Sequence, residues 1–461
     1  MTRDGMSQEG VQVLPPVLVL AGPGLGHYQP ICDLLCSVVL PGPGEAASSV
    51  GRRVVVVVEL RPDDPLVERI GRDGYEVRLL DVPNRLLDRL MRRLAQRVER
   101  DLARRLAMLG SIGADLPPLH ARLTFAFAAR IKPLRNHRSG FLHAVRDVID
   151  DVRPSLVMSD LYFGDSVGRI TKSRCIPWVE YATGLVPTPS SRLPVGPGLG
   201  GNPGRAERAV SVPLAIGDWI RSRYAYLASR RAIPLSVGES RPWPDLRIAF
   251  SSDDLDPPYD LPGAPGWSHV GIIRPQRPIE SSSRRGDRLV FVTMGSSPIA
   301  SNGGMPSQLL EALDGLAADG VQVVIQSQNV GVRRWVSGRP KQRIQIVDPT
   351  DGPPFEWYRQ ADLIVGHGGW GTIREAIACG VPILVMPFLR ADRMDTSRRV
   401  IDAGVGAARS PYTADSQNIR NLIEAMLEDD GLKRRVERMA PALWMREQDA
   451  TLLQLKGLLK A

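Results

Sequence analysis

This sequence predicts an α/β protein made of two doubly wound parallel sheets, on three observations. Short apolar runs rich in Val, Leu and Ile alternate with helix-length amphipathic stretches, the pattern of strands buried on both faces with helices between them. A chain of 461 residues is too long for one hydrophobic core, so two domains are expected. Residues 361–387 read in turn as strand, glycine-rich loop, helix, glycine stop and strand.

Taken in order, residues 17–21 form a first strand, 22–27 a glycine loop and 30–39 a first helix. A Pro/Gly/Ser loop at 41–49 leads to strands at 54–59 and 74–80. Residues 84–150 read as mostly helical, with Leu86, Leu90, Leu94 and Val98 at near-regular spacing. Arg92, Arg93, Arg97, Arg100, Arg104 and Arg105 crowd the same stretch. They fit either a solvated helix face or a basic amphipathic face for an anionic or lipid-linked acceptor. Strands follow at 155–159, ending at Asp160, and at 176–181. Residues 184–204 read as a Pro/Gly lid, 205–245 as helices broken by prolines, and 253–278 as irregular.

A Ser/Arg-rich hinge at 279–287 divides the halves. Beyond it, strands are expected at 289–294, 321–326, 343–347, 362–365 and 383–386, and helices at 415–429 and 432–461. The expected domains are residues 1–280, which would bind an acceptor, and 281–440, which would bind a nucleotide sugar. A last helix, 441–461, would pack back on the first domain.

The net charge of +9, carried mainly by arginine, fits a solvated surface or attraction to phosphorylated donors and anionic membranes. Nucleic acid is not expected, because no binding module and no aromatic–basic alternation appears. Cys32, Cys36, Cys175 and Cys379 are scattered and complete no metal spacing, so buried, reduced thiols in a cytoplasmic protein are expected. The first residues are polar, and Pro15 and Pro16 break the apolar run that follows, so no signal peptide is read. No stretch reaches the roughly 20 apolar residues that span a bilayer.

The chemistry concentrates at His367, Gly368, Gly369, Trp370, Gly371 and Thr372. A glycine loop opening a helix presents unpaired amides and the positive end of the helix dipole, which suits a phosphate. Glu375 lies about one turn further on, placed to accept hydrogen bonds from ribose hydroxyls. Gly380 stands where a helix stops through a left-handed residue, and Pro382 prevents its continuation.

With Ala376, Gly380, Val381, Pro382 and Pro387, these residues resemble the nucleotide-sugar signature of the UDP-glycosyltransferase superfamily. The resemblance implies the GT-B fold, two Rossmann-like parallel-sheet domains facing a cleft. Gly26-His27 with Pro30 resembles the superfamily's Gly-His-x-x-Pro, whose histidine is commonly the general base. Asp160 resembles the carboxylate that orients that histidine. Gly295 and Ser296 resemble a diphosphate-contacting turn. After Pro387, Asp392 matches the sugar-contacting acid, while Arg393 replaces the usual Gln at a longer spacing, which leaves the donor sugar open.

The resemblance implies inverting transfer from a UDP- or TDP-linked sugar to a hydroxyl of a small-molecule acceptor, a bacterial natural product first among them. It implies no cofactor beyond the nucleotide-diphosphate sugar as co-substrate, and no metal. The Asp-x-Asp at Asp254 and Asp256 reads as turn acids. The chain would act as a monomer or homodimer, with peripheral membrane contact left open. Alternatives are a lipid-linked or cell-envelope acceptor, a sugar-nucleotide epimerase, and a non-catalytic nucleotide-sugar-binding protein. An oxidoreductase is disfavoured because residues 22–26 have the wrong glycine spacing and Pro23 lacks an amide.

Overall fold

The computed structural model describes residues 14–21, 25–38, 53–58, 65–80, 139–163, 165–184, 243–256, 265–272, 288–294, 305–339, 343–348, 355–387, 391–409, 414–445 and 449–460. The expectations for residues 84–138, 185–242 and 279–287 lie outside these, as do Gly295 and Ser296.

Two parallel sheets organise the chain. The first contains β1 (Val17–Ala21), β2 (Val54–Val58), β3 (Glu76–Leu79), β4 (Leu156–Asp160), β5 (Trp178–Ala182), β6 (Leu246–Ala249) and β7 (Ser268–His269), in the order β3-β2-β1-β4-β5-β6-β7. The second contains β8 (Leu289–Thr293), β9 (Gln322–Gln326), β10 (Ile344–Val347), β11 (Leu363–Gly366), β12 (Ile383–Val385) and β13 (Gly406–Ala408), in the order β10-β9-β8-β11-β12-β13. The strand order reverses between β1 and β4, and again between β8 and β11. At such switch points the connections leave to opposite faces and open a crevice at the carboxyl ends of the strands.

In the first half the helices are α1 (Leu25–Val38), α2 (Pro65–Arg72), α3 (Ser139–Val152) and α4 (Asp165–Lys172). In the second half they are α5 (Ser307–Ala318), α6 (Val330–Ser337), α7 (Phe355–Gln360), α8 (Trp370–Ala378), α9 (Ala391–Asp402), α10 (Ser416–Glu428), α11 (Asp430–Met439) and α12 (Ala450–Lys460). Among the described residues, no helix is long and apolar enough to cross a membrane.

Burial explains why the strands read so clearly. Every residue of β1 and β2 is buried, and alternate residues serve opposite faces: Val17 and Val19 in one core cluster, Leu18 and Leu20 in the other. The second sheet shares one large core with its helices.

The structure departs from the sequence reading in several places. α1 begins at Leu25, within the expected glycine loop, because Pro30 is accommodated inside the helix rather than starting it. β6 and β7 were not expected; β6 carries Arg247, whose charge hides its strand character, and β7 has two residues. β13 is Gly-Ala-Ala and has no β-branched residue to announce it. The single helix expected over 432–461 is broken by Pro441 into α11, a 3₁₀ turn and α12. Of the thiols, Cys32 is buried, but Cys175 is exposed and Cys379 only half-buried.

The break after α11 brings two chain crossings together. Ile272 N donates to Leu443 O at 2.7 Å, and Met445 N donates to Ile272 O at 2.9 Å. Leu452, Leu455 and Leu459 of α12 enter the core of the first lobe. A Cβ at Gly271 would lie 2.4 Å from the Trp444 carbonyl carbon, closer than packed atoms come. Gly271→Ala is therefore expected to cost about 1–3 kcal/mol through overpacking. Gly71→Ala, in α2 with open space around it, is expected to be neutral or stabilising. Thermal unfolding of the two variants checks this; equal melting temperatures would contradict the close crossing.

Candidate functional site

The loop after β11 is fixed from several sides. All of β11 is buried, and Met386 N donates to Gly366 O at 2.7 Å. His367 follows, 5% exposed. Gly368 has φ 87°, a left-handed backbone that other residues resist, and its carbonyl accepts a 2.8 Å bond from the Thr396 hydroxyl of α9. Gly369 caps α8 and has no side chain to occupy the helix amides. The first intrahelical bond is Ile373 N to Gly369 O, which leaves the amides of Trp370, Gly371 and Thr372 directed out of the helix start. α8 begins at Trp370, so the cradle expected as loop is helix from that residue on.

Glu375 sits one turn along, with Oε1 3.9 Å from where a Cβ on Gly371 would stand. Burial pushes its carboxyl up to about 7; Arg374 opposes that rise and Asp33 adds to it. Asp33 belongs to α1 of the first lobe, so the charge of one lobe acts on the Glu375 carboxyl of the other. Tyr358 of α7 is fully buried, hydrogen-bonds the Thr372 side chain, and is raised well above its ordinary value by burial and then by Glu375.

In the first lobe, Leu20 pairs with Ser159, which sets the carboxyl ends of β1 and β4 side by side. Asp160 ends β4, and α1, carrying His27 in its first turn, starts just after β1. The backbone thus brings both to the first switch point. The His27 side chain lies outside the described residues. Asp160 is buried and accepts a 3.4 Å bond from the Thr183 hydroxyl. Tyr181 donates to Leu20 O at 3.1 Å; burial raises its phenol well above the usual value, with Asp160 and Cys32 adding to the rise.

The sequence-expected residues therefore gather at two places. His367, Gly368, Gly369, Trp370, Gly371, Thr372 and Glu375 surround the β11–α8 junction, while His27 and Asp160 stand at the β1/β4 edge. Asp392 and Arg393 fall in the first turn of α9, their side chains outside the described residues.

Sequence reasoning missed Arg374, Tyr358, Asp33 and the role of Asp256. Asp256 is indeed in a turn, where its amide bonds Ser252 O at 2.9 Å, but it is also fully buried and ion-paired with Arg399 of α9. The signal for Arg374 was its place among Ile373, Ala376 and Ile377, an arginine where a one-lobed protein would put an apolar residue. Among the described residues, no group of three or more His, Cys, Asp or Glu could hold a metal ion.

Residues 349–447 match the family model described as erythromycin biosynthesis protein CIII-like, C-terminal domain. A demethyllactenocin mycarosyltransferase of Streptomyces fradiae is 35% identical over 78 residues, 17% of each chain. Over this C-terminal stretch the chain resembles glycosyltransferases of the UDP-glycosyltransferase superfamily. The curated relatives first in similarity are matched over a quarter or less of their own length. Two solved structures extend the likeness of fold across nearly the whole chain. The glycotransferase of kitacinnamycin has a TM-score of 0.62 at 16% identity, covering 97% of this chain and 98% of that one. A spinosyn rhamnosyltransferase complexed with thymidine diphosphate has a TM-score of 0.58 at 18% identity, covering 93% and 96%. The two-sheet architecture is thus the GT-B fold.

Proposed function

We propose that the chain transfers a sugar, with inversion, from a UDP- or TDP-linked donor to a hydroxyl of a small natural-product acceptor. One observation carries this reading: the free amides at the start of α8 lie one turn before Glu375, and the charge of Asp33, on α1 of the first lobe, acts on that carboxyl. His27 lies six residues before Asp33 on α1, about 9 Å along the helix axis. A base and a phosphate cradle on opposite sides of one crevice are what a direct displacement needs.

In this reading the diphosphate rests on the amides of Gly369–Thr372, with His367, Gly295 and Ser296 beside it. Trp370 borders the donor, Glu375 accepts from the ribose hydroxyls, and Asp392 and Arg393 meet the sugar. His27, oriented by Asp160, takes the proton of the acceptor hydroxyl. The acceptor oxygen bonds to the anomeric carbon as the bond to the diphosphate breaks on the opposite face. The charge gained by the departing diphosphate is stabilised by the helix amides. That fixed array of donors is why the reading calls for no metal. It goes with a cytoplasmic protein acting as monomer or homodimer. The likeness to a demethyllactenocin mycarosyltransferase supports a natural-product acceptor.

The test is nucleotide-dependent stabilisation, followed by transfer. UDP or TDP at about a hundredfold excess over Kd is expected to add about 2.7 kcal/mol to stability. Donor sugars of the matching base are then screened against aglycones, with the anomeric configuration of the product read by NMR. A melting temperature unmoved by either nucleotide would remove the donor site, and a product of retained configuration would remove direct displacement.

A further inference from the structure

Arg374 is 1% exposed. A guanidinium is seldom buried so deeply without a dedicated partner. Its hydrogen-bond acceptor is not in its own lobe: Nη1 donates to the carbonyl of Phe250, just past β6 in the first sheet. Asp256, six residues further on, lies close enough to favour its charged form. That same Asp256 is ion-paired with Arg399 of α9. Both helices that border the glycine loop are therefore tied by an arginine to residues 250–256 of the first lobe. α9 also holds the loop itself, through Thr396 on Gly368 O.

We propose that Arg374 is a positioning residue for the donor site: it anchors α8 to the first lobe at the Phe250 carbonyl and so fixes where the adjacent Glu375 stands in the cleft. This inference rests on the reading of the cleft as a nucleotide-sugar site. Glu375 is the group through which the anchor acts. The groups facing it are Arg374 on α8 itself, Cys379 at that helix's end, Asp33 on α1 and Tyr358 on α7. Arg374 supplies the positive charge that holds the Glu375 carboxyl down, against burial and Asp33. As a carboxylate Glu375 accepts from ribose hydroxyls; protonated, it loses part of that capacity. Nucleoside affinity should therefore fall as pH drops through about 7, and the midpoint should move up when the arginine charge is removed.

The experiment titrates UDP and TDP calorimetrically into the full chain between about pH 5.5 and about pH 8.5. Arg374→Leu is expected to weaken binding about tenfold and to raise the pH midpoint by about half a unit. Arg374→Lys keeps the charge without the fork, so it should keep the wild-type midpoint and lose less affinity. Leucine-variant affinity within about twofold of wild type overturns the proposal. So does weakened affinity with an unmoved midpoint, the mark of a merely loosened fold. If the leucine variant does not melt cooperatively, the lysine variant decides: full wild-type affinity, or a raised midpoint, overturns the proposal. Wild-type protein that binds neither nucleotide brings down the site reading instead. The anchor is then judged by isotope-edited NMR of the Glu375 carboxyl, whose titration must rise in Arg374→Leu if the proposal stands.

Discussion

Replacing His27 with alanine is expected to lower kcat by about 10²- to 10⁴-fold while leaving nucleotide affinity unchanged. The asymmetry follows from the two-lobed layout. In the proposed mechanism His27 meets the acceptor hydroxyl from α1, whereas the nucleotide rests on α8 and the turn after β8. Removing the imidazole therefore takes away the proton acceptor without touching the phosphate cradle. Asp160→Asn should cost less, because the amide still fills the buried site at the end of β4 beside Thr183 but no longer stabilises the imidazolium. Saturating-donor kinetics, with calorimetric nucleotide binding alongside, separates the effects. Wild-type turnover in His27→Ala would remove the histidine from the reaction, and loss of nucleotide binding in that variant would show that it serves the fold instead.

The features legible in the sequence are those with local causes. β1 could be read because five consecutive buried residues are all apolar. The β11–α8 junction could be read because glycines, a proline and a histidine stand at fixed offsets; Gly380, with φ 76°, ends the helix by the backbone geometry its residue type suggests. What escaped has distant causes. β6 was missed because Arg247 is neutralised by Glu180, 67 residues away, and flanked by the rings of Trp243 and Trp267. Arg374 was missed because its acceptor is a main-chain carbonyl 124 residues upstream. Asp256 reads as a turn acid because a sequence shows the turn but not the guanidinium that closes over it. Each of these residues is charged and buried, and single-sequence patterns place charges outside.

The last of them makes the second large prediction. Asp256→Ala is expected to destabilise the protein by up to about 3–5 kcal/mol, because it removes the buried carboxylate paired with Arg399 at a nearly closed site, 12% exposed. The loss should not be read as the worth of the ion pair. Taking two charges out of water costs several kcal/mol, which their attraction only offsets. The double variant Asp256→Leu with Arg399→Met should therefore regain most of the lost stability, although it has no ion pair at all. Asp402→Ala provides the contrast: its partner Arg398 is exposed on the same helix, and that pair should matter little and fade with salt. Urea unfolding of the four proteins at low and high salt reads these terms. A double variant no more stable than Asp256→Ala would mean that the charges themselves hold the second lobe to residues 250–256. A small effect of Asp256→Ala alone would mean that water reaches the pair in solution, and that α9 is not tied to the first lobe as tightly as the geometry requires.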